Sequence, residues 1–222
     1  MTKTEFRRAF LDTVPVMTGY LFLGFGFGLL MQQKGFGILW SGAMSVFIYA
    51  GSMQYVAVNL LSSGASLLTT ALTTLMVNAR HLFYGISMVD AYRDTGKKKP
   101  YLIFALTDET YSLVAGKDVS PSYCLLVSAL DQCYWVAGTL LGAAAGSLIP
   151  VNLPGIEFVL TALFVTIFTE QWLSTRDHKP ALLGLGATAL CLILFGKDVF
   201  LIPSMGLIAG VLVLMGRRKK DA

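Results

Sequence analysis

The stretch SLLTTALTTLMVNARHLFYG, residues 66–85, carries no formal charge until Arg80 and then sets Arg80 between Asn78 and His81 inside an apolar run. The surroundings this run occupies decide the fold. Working outward, Lys34 and Arg80 are the only formal charges from Thr13 to Val89. A soluble fold would have to bury nearly all of that stretch, and the chain lacks the polar shell to do it. Of 222 residues, 55% are hydrophobic and 14% charged, against about a quarter charged in an ordinary soluble domain. Mean hydropathy is +0.66. The apolar runs are about 17–23 residues long, the length of helical spans, whereas barrel strands alternate over about ten. The expected fold is an all-α integral membrane protein.

Candidate helices fall at about 13–31, 37–61, 66–88, 101–116, 122–148, 156–174, 180–196 and 198–215, so about seven or eight transmembrane or partly re-entrant helices are expected. Gln32–Gly35, Ser62–Gly64, Arg93–Pro100, Pro150–Gly155 and Arg176–Pro180 punctuate them. Residues 1–222 read as a single membrane transport domain. Lys3, Arg7 and Arg8 precede the first run, which is too long for a signal-peptide core and reads as a retained span. Lys3, Arg7, Arg8, the Arg176/Lys179 loop and Arg217–Lys220 can share the cytoplasmic face with about eight crossings, but Lys97–Lys99 then falls outside. All basic clusters face the cytoplasm only if one segment before the lysine loop and one after it fail to cross. The short segment 101–116 is the natural second of these, because irregular backbone is tolerated at membrane depth when protein or a water-filled cavity surrounds it.

DTVPVMTGYLFLGFGFGLL from Asp12 echoes DQCYWVAGTLLGAAAGSLI from Asp131, and SMQY at 52–55 echoes TEQW at 169–172. Two repeat halves, 12–90 and 122–196, are suggested, an organisation that in transporters puts the substrate site at the repeat interface. Gly24/Gly28, Gly138/Gly142/Gly146 and Gly206/Gly210 form small-residue faces that let helices approach closely. Cys124, Cys133 and Cys191 have no metal-like spacing and read as buried apolar side chains. Net charge +4 resides in chain ends and loops, which indicates anchoring at the bilayer and not nucleic acid.

An ionisable group within a span is a functional hypothesis by default, since a charge at the bilayer centre costs at least about 2.5–3.5 kcal/mol. Four sets qualify: Asn78, Arg80 and His81; Thr107, Asp108 and Glu109; Asp131; and Glu170 with Gln171. Gln54 is an uncharged companion. The opposed signs predict that Arg80 pairs with Asp108, Glu109 or Asp131. The bland alternatives are snorkelling of Arg80 and His81 to headgroups, a loop position for Asp108 and Glu109, and an interface anchor at Glu170-Gln171-Trp172. His178 reads as solvated. No metal site, cofactor motif or nucleophile motif is present in the sequence.

A guanidinium and carboxyl groups among apolar helices suit a small zwitterion. Arg80 would hold a carboxylate, with Asn78, His81, Gln54 and Asp108 around the substrate. Asp108, Glu109 or Asp131 would carry a coupling proton. The residues alone thus indicate a secondary transporter for a small amphipathic solute. A passive channel or a non-transporting assembly subunit is the alternative, and a membrane enzyme using His81 and Asp108 is a distant third.

IYAGSMQY (48–55), VNARHLFYGISM (77–88) and YLIFALTDETYSL (101–113), in that order and spacing, resemble the AzlC family, the large subunits of bacterial branched-chain amino-acid exporters (the LIV-E type). The resemblance implies export of valine, leucine or isoleucine, with methionine as a further substrate, by proton antiport across the bacterial inner membrane. It also implies a hetero-oligomer with a small, all-helical AzlD-type membrane subunit. No cofactor is expected.

Overall fold

The structure, a computed structural model, describes residues 3–148, 175–196 and 200–220, together with positions 158, 161, 162, 165, 168, 169, 172 and 173. All regular structure among the described residues is helical. The chain divides into two compact units, Met1–Leu160 and Thr161–Ala222.

The first unit is built on two long helices, α1 (Lys3–Gln33) and α8 (Pro121–Leu148). Both are long and apolar enough to cross a membrane. Their glycine faces meet. A methyl group on Gly24 would stand 2.7 Å from Trp135 O, and one on Gly138 would stand 2.7 Å from Leu21 O. Gly28 faces Thr139 and Ala143, while Gly142 faces Phe25. Residue numbers rise together along both helices, so α1 and α8 run parallel. At their shared N-terminal end Tyr123 OH donates to Asp12 Oδ2 at 2.6 Å and Ser120 Oγ to Glu5 Oε1 at 2.9 Å. The sequence echo thus lies on two helices packed side by side. The third glycine face behaves differently, since neither Gly206 nor Gly210 has an atom within 4 Å of an added methyl.

Segments 37–61 and 66–88, expected as continuous runs, are each interrupted, and so is segment 101–116, the one expected not to cross. Segment 37–61 forms α2 (Gly37–Phe47) and α3 (Gly51–Ser62), interrupted at Ile48–Ala50, where Tyr49 has φ +42°. That left-handed backbone, costly for a residue with a Cβ, lets the chain reverse. Along α2 the contacts descend α8: Gly42 lies against Leu140, Ser45 Oγ donates to Thr139 Oγ1 at 2.8 Å, and Gln132 Nε2 donates to Val46 O at 3.1 Å. Along α3 they climb again, from Gly51 against Trp135 to Tyr55, whose hydroxyl donates to Leu23 O at 2.6 Å and whose ring meets Phe27. The pair α2–α3 is a hairpin that enters and leaves at the end marked by Gln33.

Segment 101–116 forms a second hairpin from the opposite end. A 3-10 turn (Gly96–Lys98) leads into α6 (Lys99–Phe104), and α7 (Asp108–Val114) follows an interruption at Ala105–Thr107. Lys98 Nζ donates to Ser122 Oγ near the start of α8, and Tyr101 OH donates to Gln132 Oε1 further along. Ala105 reaches the cluster of Tyr20, Tyr49 and Trp135, and Val114 is back among Ala9, Tyr123 and Val127. The two tips meet, with the rings of Tyr49 and Phe104 6.2 Å apart.

Between the hairpins, α4 (Leu67–Val77) and α5 (Ala79–Met88) run from the Gln33 end to the Tyr123 end, joined at Asn78. Asn78 has φ −94° and ψ 7°, outside the helical basin. Ser66 caps α4 by accepting from Thr69 N at 3.1 Å, a standard N-terminal device. The outward faces are strongly apolar: Leu67 is 90% exposed and Leu39 85%. Such surface in a folded chain marks contact with lipid or another protein.

In the second unit, α9 (Lys179–Phe195) and α10 (Leu201–Lys220) pack as neighbours. His178, in an otherwise exposed loop, is half-buried, with one face of its ring stacked on Trp172 at a centroid distance of 4.0 Å. Cys124 and Cys191 are buried, while Cys133 is exposed on α8, contrary to its expected burial. Most of segment 156–174, including Glu170, Gln171 and part of the TEQW echo, lies outside the described residues.

Candidate functional site

Each interruption ends where polar residues begin, and the three interruptions converge. Ser52 and Gln54 lie in the first turn of α3, Arg80 and His81 in the first turn of α5, and Asp108 and Glu109 in the first turn of α7. A first helical turn has backbone N–H groups without intrahelical partners, which favours nearby acids and side-chain acceptors. Thr107 caps α7 in this way, its Oγ1 accepting from Thr110 N at 3.3 Å.

Arg80 is the centre of the arrangement. Its Nη1 pairs with Asp108 Oδ2, and its Nη2 donates to Ser52 Oγ at 2.8 Å. The two charged side chains are 32% and 25% exposed, so the pair is recessed. Three polar atoms here are buried without a hydrogen-bond partner: Asn78 Oδ1, Arg80 Nε and Asp108 Oδ1. Burial without a partner costs about 1–3 kcal/mol per group, so a donor and two acceptors are gathered here that polar groups of a small molecule could satisfy. His81 Nδ1 lies 3.3 Å from Asn78 O, and its ring meets Tyr84 edge-on. Tyr84 in turn stacks on Tyr111, with centroids 4.5 Å apart.

The other acids take separate positions. Glu109 accepts from Tyr20 OH at 2.6 Å, and the same hydroxyl lies 2.8 Å from Thr107 Oγ1. Thr107 Oγ1 donates to Thr110 Oγ1 at 3.2 Å, which donates to Asp131 Oδ2 at 2.9 Å. Asp131 is fully buried on α8, and its Oδ1 has no partner. Glu109 and Asp131 are therefore the two ends of one hydrogen-bonded chain through Tyr20, Thr107 and Thr110. Gln54 lies apart from the ion pair. It is fully buried, and its Nε2 points to Ser45 Oγ at 3.4 Å, beside the α2–α8 contact.

Sequence reasoning missed Ser52 and Tyr20. Ser52 stands within the quoted SMQY stretch but carries no charge to single it out. Tyr20 sits in an apolar glycine-rich run, where a hydroxyl that must find a partner when buried is the available signal. Among the described residues no group of three or more His, Cys, Asp and Glu could hold a metal ion.

The family described as AzlC protein matches residues 15–149, which include both hairpins and all the residues above. The chain is 46% identical over 222 residues to the "Branched-chain amino acid transport protein AzlC" of Bacillus subtilis (strain 168), covering 98% of this chain and 87% of that protein. It is 41% identical to an "Uncharacterized membrane protein" of Helicobacter pylori (strain ATCC 700392 / 26695), over 97% of this chain and 96% of the relative. With the "Inner membrane protein YgaZ" of Escherichia coli (strain K12) it shares 31% identity over 90% of this chain and 84% of the relative. No solved structure matches.

Proposed function

The chain belongs to the AzlC family, and on that premise we propose that it is a membrane transporter for branched-chain amino acids. Its substrates are valine, leucine and isoleucine, with methionine as a further one, and transport is outward by proton antiport. The observation that carries this reading is the Arg80–Asp108 pair at the junction of three interrupted helices. Interrupted helices at membrane depth are how transporters line a binding site with backbone and charged groups. A zwitterion complements the pair: its carboxylate meets Arg80 and the orphaned Nε, and its ammonium meets Asp108 and the carbonyl of Asn78.

The coupling proton has a route in the Glu109–Tyr20–Thr107–Thr110–Asp131 chain. With Glu109 protonated, every hydroxyl hydrogen can point toward Asp131. With Glu109 ionised, Tyr20 donates to it instead. Reversal of one tyrosine hydroxyl thus registers the state of an acid whose neighbour Asp108 touches the substrate.

In the bilayer, α1, α4–α5 and α8 cross, whereas α2–α3 and α6–α7 are re-entrant hairpins from opposite faces. This assignment puts Lys3, Arg7, Arg8 and Lys97–Lys99 on one face, which the excess of positive charge identifies as cytoplasmic. It supports a multi-pass protein of the bacterial inner membrane. The working unit includes a small AzlD-type helical subunit, as the family resemblance implies. A passive channel or a non-transporting subunit would need no hydrogen-bonded chain joining two acids.

The test is flux of labelled leucine in liposomes holding both subunits. Uphill leucine movement driven by an imposed pH gradient supports the antiporter. Downhill, non-saturating flux that ignores the gradient supports a channel and overturns it.

A further inference from the structure

A cavity of ≈ 240 Å³ lies between α5 and α6 and reaches His81, the residue after Arg80. Its size is just below the roughly 300–1,000 Å³ of pockets for drug-sized ligands. One wall is a single face of α5 and the turn after it: His81, Gly85, Met88, Val89 and Tyr92 follow one another at helical spacing. The opposite wall is formed by Lys99 and Ile103 of α6 and by Leu106 in the interruption that follows it.

We propose that this cavity takes the aliphatic side chain of the zwitterion whose charged ends meet Arg80 and Asp108, so that Gly85, Met88, Ile103 and Leu106 decide which amino acids are carried. This rests on the transport reading above and adds the specificity site to it. Continuity with the ion pair comes through His81, which lines the cavity and directly follows Arg80 in the first turn of α5. The room comes from Gly85, where an added methyl would meet nothing within 4 Å. Away from His81, the polar groups in the wall are the Lys99 amine and the Tyr92 hydroxyl. Tyr92 is 2% exposed, and its hydroxyl has no partner. Burial pushes its phenol well above the ordinary range, so it remains a donor.

Tyr92 and Lys99 belong to the end of the unit where Lys98 meets Ser122, the proposed cytoplasmic face. The cavity therefore runs from the ion pair toward the side on which an exported amino acid is loaded. An aliphatic group there could come from the substrate or from a lipid tail, and the experiment separates them.

Full-length chain with its partner subunit is reconstituted, and initial rates are compared for leucine and valine, which differ by one methylene. In Gly85→Leu the leucine-to-valine rate ratio falls about ten-fold, the low end of what one methylene is worth in an apolar pocket. Gly85→Ala lowers it less. An unchanged ratio with either residual or full activity overturns the proposal. Independently, Ile103→Cys is placed in a chain with Cys124, Cys133 and Cys191 changed to Ser, and its alkylation by N-ethylmaleimide is timed. Leucine slows the reaction and glycine does not. A rate indifferent to leucine, in protein that still carries leucine, means that a lipid tail occupies the cavity and ends the proposal, leaving the transport reading intact. Failure of unaltered protein to carry either amino acid would instead overturn the transport reading.

Discussion

Arg80 and Asp108 are joined as an ion pair from the first turns of two different half-helices, each preceded by a break in the backbone. Ser52, in the first turn of a third half-helix, holds the other end of the guanidinium. The pair therefore ties together a hairpin from one end, a hairpin from the other and the interrupted helix between them. Substrate that competes for either charge would loosen all three at once.

Removing one partner should cost more stability than removing both. Arg80→Gln or Asp108→Asn alone leaves a recessed, uncompensated charge. Because both side chains are a quarter to a third exposed, we expect about 1–3 kcal/mol, below the ~3–5 kcal/mol of a fully buried broken pair. The double variant recovers most of that. Thermal unfolding in detergent measures it, and additive losses would show that the pair is not coupled.

Tyr20→Phe removes the hydroxyl that joins Glu109 to Thr107 and keeps the ring against Trp135. Leucine exchange at equal pH should persist while gradient-driven accumulation falls ten-fold or more. Asp131→Asn should do the same. Full coupling in both variants would remove the hydroxyl chain from the mechanism.

The α1–α8 contact leaves no room for side chains. Gly24→Val and Gly138→Val each push a Cβ into backbone that cannot rotate away, and each should cost about 1–3 kcal/mol. The same change at Gly210, which meets nothing within 4 Å, should leave the unfolding temperature of the isolated chain nearly unchanged.

The two hairpins predict an accessibility pattern. In cysteine-free protein, a cysteine at Lys98 should react with an impermeant maleimide only from the cytoplasmic face, and one at Ser63 only from the opposite face. Labelling of Ser63→Cys from the cytoplasmic face and of Lys98→Cys from the opposite face would mean that α2–α3 crosses, and labelling of both from one side that α4–α5 does not.

Much of this was readable in the residues. The bilayer class follows from runs such as 13–31, and the lysine loop at 97–99 already conflicts with a count in which every run crosses. The interruptions were hidden because hydropathy reports apolar length, not backbone continuity. IYAGSM stays apolar through a reversal at Tyr49 that nothing but a strained φ reveals. Choosing Asp108 from among three acids likewise needed the α6–α7 turn, which swings Glu109 toward Tyr20 and Thr110 toward Asp131. Gln54 stood out as an uncharged polar companion in an apolar run, and only the α2–α3 reversal shows its amide turned toward Ser45.

Equilibrium binding of labelled leucine to the purified complex most directly tests whether the Arg80–Asp108 pair receives the substrate. Saturable binding to unaltered protein should fall at least ten-fold in Arg80→Gln/Asp108→Asn, in which the charges are gone without an unpaired one left behind. Undiminished leucine affinity in that double variant would contradict a substrate site at the pair.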